Sequence, residues 1–148
     1  MEIEPSTDQK GAIAESAIAH AAIKLGFGVL KPLTDGDRYD LVFDLHPRLV
    51  RVQCKWAVLD GDVVIVRSYS CRRTKNGLLR RGYSAEDVDA IAAYCAGLDR
   101  CFYFPIDWVR ERTLFQLRIG PTRNNQQKLI NWADEFAFER LAWSPEGP

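Results

Sequence analysis

The run DRYDLVFDLHPRLVRVQCKWAVLD, residues 37–60, limits the fold more than any other stretch. Two segments rich in Val and Leu flank the turn former HPR, the pattern of an antiparallel hairpin. A lone hairpin is marginal in water, so further strands or a helix must cover it. FGVLKPL before it and DVVIVRS after the turn DGD extend it to a four-stranded meander. Along the third of these strands side chains alternate, so Val52, Cys54 and Trp56 point to one face and Gln53 and Lys55 to the other. A polar pair placed side by side on an apolar strand needs a reason.

Ahead of the meander, Ile13, Ala14, Ala17, Ile18, Ala21 and Leu25 recur at three- and four-residue steps. This predicts a helix over 7–25 with Thr7 or Asp8 as its N-cap, ended by GFG. After the meander, SYSCRRTKNGLLRRGYS reads as a basic loop at about 67–83. AEDVDAIAAYCAG reads as a second helix, with Ser84 as N-cap, acidic residues in its first turns and Gly97 as C-cap. RCFYFP and TLFQLRI are expected as strands, with a helical turn at IDWVRER between them. NNQQKLINWADEF has weak helical periodicity, and the tail at about 134–148 loses its pattern. The expected fold class is α/β, a central mixed β-sheet flanked by helices, in one domain over 1–148.

A chain of 148 residues with 47% hydrophobic content fills one core and not two. Its 20 basic and 20 acidic residues balance, so a polyanion-binding surface requires local segregation of charge. Cys54, Cys71, Cys95 and Cys101 form no CxxC pair and lack His at zinc-finger spacing, which favours reduced thiols. MEIEPSTDQKG is polar and acidic, unlike a secretion signal, and no apolar run approaches membrane-spanning length. A cytoplasmic protein with no membrane partner is expected.

The polar pair acquires a chemical meaning from its neighbours. The hairpin brings Asp40, at the start of the second strand, beside Gln53 and Lys55, and the first helix can deliver Glu15. Mg²⁺ takes oxygen ligands, commonly one or two carboxylates completed by water and substrate phosphate. Asp40, Glu15 and the Gln53 carbonyl meet that demand, and Lys55 adds a cation where phosphate gathers negative charge. Metal-assisted phosphodiester hydrolysis requires such a group.

On Glu15, on RYD ending in Asp40, and on VQCKW with Gln53 and Lys55, the chain resembles the PD-(D/E)xK nuclease superfamily, within it the intron-encoded homing endonucleases with a Gln-x-Lys motif. The resemblance extends through YSAEDVDAIAAYC, CFYFP and NNQQKLINWADEF. It implies a restriction-endonuclease-like core, Mg²⁺ (or Mn²⁺) as cofactor, double-stranded DNA as partner and a homo-oligomer, dimer or tetramer. It also implies catalytic roles for Glu15, Asp40, Gln53 and Lys55, with Glu15, Asp40 and Gln53 on the metal. Two residues depart from the pattern: Gln53 stands for an acid and Tyr39 for the proline of the motif's name. The Gln removes one negative charge from the site, so weaker metal affinity is expected.

A second signal lies between Val66 and Ala85, where Arg67, Arg72, Arg73, Lys75, Arg80 and Arg81 are interleaved with Tyr69 and Tyr83, without Asp or Glu. Such density in a neutral protein suggests phosphate contacts, and Arg also reads guanine in the major groove. A solvated loop making surface ion pairs is the alternative, and DNA contact is favoured because the loop leaves the fourth strand of the sheet that carries the candidate site. Arg118, Arg123, Asn124, Asn125, Gln126 and Lys128 form a second polar cluster, of which Arg123, Asn125 and Lys128 are expected on DNA. His20 and His46, Ser16 and Ser68, and the isolated AGLD at 96–99 carry no reaction framework. Trp56, Trp108, Trp132 and Trp143 read as core or interface anchors, with Phe136–Trp143 as a candidate oligomer contact. The leading reading is a metal-dependent, site-specific, double-stranded DNA endonuclease of homing type, hydrolysing phosphodiester bonds. The alternatives are a restriction- or repair-type nuclease and a catalytically inactive DNA-binding or structural module on the same fold.

Overall fold

The computed structural model describes residues 3–110, 112–122, 124 and 128–142. Helix α1 (Thr7–Lys24) has its N-cap at Ser6, one residue before the expected cap. Ser6 Oγ accepts from the Gln9 amide at 3.2 Å while Gln9 Oε1 accepts from the Ser6 amide at 2.8 Å, a reciprocal pair that satisfies two of the helix's orphan donors. The helix buries Ala14, Ile18 and Ala22, and these small side chains let it lie close to the sheet. Gly26, at φ 89°, turns the chain out of the helix.

The meander forms as its pattern dictates: β1 (Gly28–Leu30), β2 (Leu41–Asp44), β3 (Leu49–Asp60) and β4 (Val63–Arg67) pair antiparallel in sequence. The basic stretch is ordered as a separate ribbon, β5 (Ser70–Thr74) and β6 (Gly77–Arg81), rather than a loop. Every residue of β6 is exposed, so hydrophobic patterning gives no strand signal there, and the tight turn depends on Gly77 at φ 111°. Next come β7 (Ala90–Cys95), β8 (Arg100–Pro105), the single-turn α2 (Ile106–Val109) and β9 (Leu114–Arg118). Short 3₁₀ turns follow at Ala133–Phe136, where weak helical periodicity was the only signal, and at Phe138–Ala142, in the tail that loses its pattern. Residues 143–148 of the tail, Trp143 among them, lie outside the described residues.

The second helix expected over 85–97 does not form. Residues 90–95 are β7, which lies parallel to β3 from Val52↔Ala90 to Ala57↔Cys95 and antiparallel to β8. A central strand covered on both faces reads as a continuous apolar run, and AIAAYC cannot be told from a buried helix by periodicity. Ser84, expected as a helix cap, instead closes a turn, its amide donating to Asp87 Oδ2 at 3.1 Å. Gly97 lies in the β7–β8 turn, where a Cβ would stand 2.9 Å from Leu59 Cδ2.

The described strands thus build a seven-stranded mixed sheet in the order β1-β2-β3-β4-β9, with β7 and β8 continuing from β3, plus the ribbon. Helix α1 covers one face over Leu41, Phe43, Val50, Val52, Ala90 and Ala92. The opposite face carries Ile91, Ala93, Phe102 and Phe104, and Phe104 packs within an aromatic group of Trp108, Phe115 and Phe136. Phe43 is fully buried and meets Phe138 edge-on at 5.9 Å. Phe43→Ala is expected to cost about 3–5 kcal/mol, read as a lower denaturant midpoint with an unchanged slope.

Candidate active site

The site is built where β2 leaves β3. Leu41 is the first β2 residue paired, opposite Val52, so Asp40 stands just before the ladder, next to the stretch of β3 that carries Gln53 and Lys55. The Asp40 amide donates to the Val52 carbonyl at 2.9 Å, and the Cys54 amide donates to Asp40 Oδ2 at 2.9 Å. The carboxylate thereby replaces the backbone acceptor that a longer β2 would have offered. Burial raises the Asp40 pKa, and the Glu15 charge adds to it against the Cys54 amide, Lys55 and Lys31.

Lys55 is half-buried, its Nζ donating to the Tyr69 carbonyl at 3.0 Å and standing 5.0 Å from the Tyr83 ring centre. Burial lowers its pKa, while Asp40 pulls the other way. Glu15 comes from α1 and pairs with Lys31 at 2.7 Å. Its field reaches the site: burial pushes the Cys54 thiol well up, and the Asp40 and Glu15 charges both add to that shift. Gln53 and Lys55 thus share one face of β3, Asp40 is held against that strand by the Cys54 amide within the field of Lys55, and Glu15 joins them through its charge, with Lys31 as a cation that the sequence reading missed.

Among the described residues no three His, Cys, Asp or Glu side chains gather into a metal cluster. The available donors are two carboxylates and the Gln53 amide, all oxygen, which suits a hard divalent ion that keeps several waters. Burial and the Glu15 carboxylate both press on Asp40, against the Cys54 amide, Lys55 and Lys31. By donor chemistry the residues present fit a hard divalent ion such as Mg²⁺ or Mn²⁺, and Asp40, Gln53 and Glu15 are those that could hold one.

Arg38 and Tyr83 were also missed as parts of the site. Arg38 donates to Ser70 Oγ at 2.5 Å, to the Gly82 carbonyl at 2.8 Å and to Asp87 at 3.4 Å, and its guanidinium lies 4.1 Å from the Tyr83 ring centre. It thus grips both roots of the β5–β6 ribbon from a position two residues before Asp40. No spacing rule reveals contacts across such a separation; only its place as the first residue of RYD hinted at it.

Among the residues expected on DNA, Arg73, Lys75, Arg80 and Arg81 are exposed on the ribbon or its turn, and Arg67 is exposed at the end of β4. Arg80 lies 4.9 Å from the Tyr69 ring centre, and Arg81 pairs with Asp87 at 3.5 Å. Among the described residues Arg73 and Lys75 take part in no ion pair, so surface salt bridges do not explain them. The Arg72 side chain, Arg123, Asn125 and Gln126 lie outside the described residues; Asn124 and Lys128 are exposed beyond β9. Arg118 is occupied by the carbonyls of Gly120 and Pro121, at 3.2 and 3.0 Å. His20 is exposed on α1 and His46 sits 3.4 Å from Asp44 in the β2–β3 turn, both away from the site.

A model of the family described as PD-(D/E)XK endonuclease matches residues 5–139. Among solved structures, that of a bacterial homing endonuclease, I-Ssp6803I, matches with a TM-score of 0.76 at 30% sequence identity, covering 96% of this chain and 93% of its own. No curated protein matches the chain. The fold that the comparisons share is the one described above, with the mixed sheet at its centre.

The raised Asp40 pKa has a consequence for stability. Its neutral form is favoured by folding, so above the folded-state pKa the ionised carboxylate opposes folding, and this cost vanishes as pH falls below the unfolded value. In metal-free buffer at neutral pH, Asp40→Asn, which keeps an acceptor for the Cys54 amide, is expected to raise the melting temperature, with the gain disappearing at about pH 3, below the ordinary carboxylate range. A scan of melting temperature against pH for both proteins checks it.

Proposed function

The chain belongs to the PD-(D/E)XK endonuclease family, and from that premise we propose that it is a divalent-metal-dependent endonuclease that cuts double-stranded DNA at a defined site, of the homing type. The observation that supports this reading is the Cys54 amide holding Asp40 against β3, the strand of Gln53 and Lys55, with the Lys55 and Glu15 charges bearing on it. The homing assignment rests on the solved relative, whose description is a bacterial homing endonuclease, and on the Gln-x-Lys pair. A twofold homo-oligomer, dimer or tetramer, is part of the proposal, because a symmetric assembly lets a small chain address a palindromic target. A cytoplasmic location agrees with four free thiols and with the absence, among the described residues, of any helix long and apolar enough to cross a membrane.

Hydrolysis needs water delivered in line with the phosphorus, negative charge on the phosphate stabilised, and the leaving oxygen freed. Asp40, Gln53 and Glu15 would hold the divalent ion, Glu15 being paired with Lys31 in the metal-free protein. Bound there, such an ion supplies charge neutralisation at the phosphate and a more acidic water. Lys55 presents its ammonium next to Asp40 in a partly desolvated position, where a cation acts on a developing phosphate charge more strongly than in water. The Cys54 amide fixes one Asp40 oxygen, leaving the other for the ion. The ribbon lends Arg73, Lys75 and Arg80 to the phosphate backbone outside the site.

Gln53 and the Glu15–Lys31 pair favour a second reading, a DNA-binding module without cleavage activity. The two part in a cleavage assay on a pool of randomised or genomic double-stranded DNA. Cutting at one sequence with Mg²⁺ or Mn²⁺, none with EDTA, and a fall of about 10²–10³-fold in rate for Lys55→Ala with DNA affinity retained are expected of the enzyme. Binding without cutting under every metal condition would assign the silent module. Replacing Arg73 and Arg80 with Ala is expected to weaken DNA binding and to flatten the slope of log affinity against log salt by roughly 1 for each phosphate no longer neutralised. A titration at several salt concentrations reads that slope directly.

A further inference from the structure

The two roots of the β5–β6 ribbon are gripped twice. Arg38 donates to Ser70 Oγ at 2.5 Å on the entering strand and to the Gly82 carbonyl at 2.8 Å on the leaving one. Lys55 repeats the pattern, with its Nζ 3.0 Å from the Tyr69 carbonyl and 5.0 Å from the centre of the Tyr83 ring. Tyr83 is the shared element, 3% exposed and in contact with both cations, with the Arg38 guanidinium 4.1 Å from its centre. Its position is over-determined: Asp87, which accepts from Arg38 at 3.4 Å, also accepts from the Ser84 amide at 3.1 Å directly after Tyr83.

A lysine head on a four-carbon stem has many rotamers, and Lys55 donates to a single carbonyl, which leaves its direction loosely set. A buried ring beneath the ammonium narrows that freedom, since a cation over an aromatic face is held more firmly when water is excluded. Building on the nuclease reading above, we infer that Tyr83 is a positioning residue for Lys55, that Arg38 fixes the Tyr83 ring, and that the ribbon which grips DNA thereby sets the ammonium at the phosphate. Neither residue touches the reacting atoms. Ordering of the ribbon on DNA reaches Lys55 through its own two roots, Tyr69 and Tyr83. Cleavage is then coupled to engagement of the ribbon.

The test combines two substitutions with two readouts. Tyr83→Leu removes the ring and keeps bulk, while Tyr83→Phe keeps the ring and removes the hydroxyl. Single-turnover cleavage with Mg²⁺ is expected to slow by about tenfold or more in Tyr83→Leu and to be largely rescued in Tyr83→Phe, with DNA affinity in Ca²⁺ unchanged in both. The second readout needs no cleavage: in selectively labelled protein the Lys55 ε-methylene resonances lie upfield under the Tyr83 ring current, return in Tyr83→Leu and stay upfield in Tyr83→Phe. If Tyr83→Leu proves unfolded, Arg38→Lys, which loses the fork to Ser70 and Gly82, is expected to displace those resonances part of the way and slow cleavage in proportion. The assignment is overturned if the parent shows no such upfield shift, if Tyr83→Leu cleaves at the parental rate, if Tyr83→Phe is as slow as Tyr83→Leu, or if rate and affinity fall together. A parent that shows the Tyr83-dependent shift and cuts no DNA upholds the contact and sinks the nuclease reading instead.

Discussion

The hydrogen bond from the Cys54 amide to Asp40 is the junction on which the site and the sheet both depend. Strand β2 pairs with β3 no further than Val52 and β4 joins it only from Val58, so from Gln53 to Ala57 the long strand has β7 as its sole strand neighbour among the described residues. An amide left without an acceptor in that stretch costs free energy comparable to a lost hydrogen bond. A carboxylate supplies the acceptor, and in doing so a charge is fixed in a half-buried place where an apolar chain has no use for one. The functional group is thus positioned by a structural requirement. Replacing it relieves electrostatic strain only if the new side chain still accepts from Cys54.

Much of this arrangement was legible because its period is two. Gln53 and Lys55 fall on one face by alternation alone, the hairpin brings Asp40 beside their strand, and the short turns HPR and DGD leave the meander little freedom of register. What stayed hidden obeys other rules. Strand β7 is apolar on both faces because β3 and β8 flank it and a layer covers each side, and its alanines suit a helix equally well. Strand β6 of the ribbon is exposed throughout, so it has no hydrophobic pattern to betray it. Arg38, Lys31 and Tyr83 matter through partners distant in sequence, and no local spacing announces a guanidinium that reaches Gly82 or a lysine that meets Glu15.

A chain of balanced charge can hold a polyanion only by sorting its charges, and the fold does so at the ribbon. The stretch between Val66 and Ala85 has no acid of its own, and the carboxylate that approaches it, Asp87, is already shared by Arg38, Arg81 and the Ser84 amide. Burial pushes the Asp87 pKa up, but the Ser84 amide and the two guanidiniums outweigh it and bring the group below the usual carboxylate range. One acid therefore anchors the base of the ribbon and leaves its outer cations uncompensated. That asymmetry lets a neutral protein present a basic arm.

Gln53 follows from the same balance of charge around Asp40. In the metal-free protein two carboxylates, Glu15 and Asp40, face two ammoniums, Lys31 and Lys55, so the local charges cancel. A third carboxylate at 53 would stand beside Asp40, whose pKa burial and Glu15 already raise, and would drive it further towards the protonated form, which binds metal poorly. The amide keeps an oxygen donor without that repulsion, though with weaker attraction for the ion. Glu15 is the adjustable member, because its partner Lys31 is exposed and a surface ion pair breaks at little cost. Negative charge at the site is thus balanced within the metal-free fold, and the Glu15 share of it is held by an exposed partner rather than a buried one.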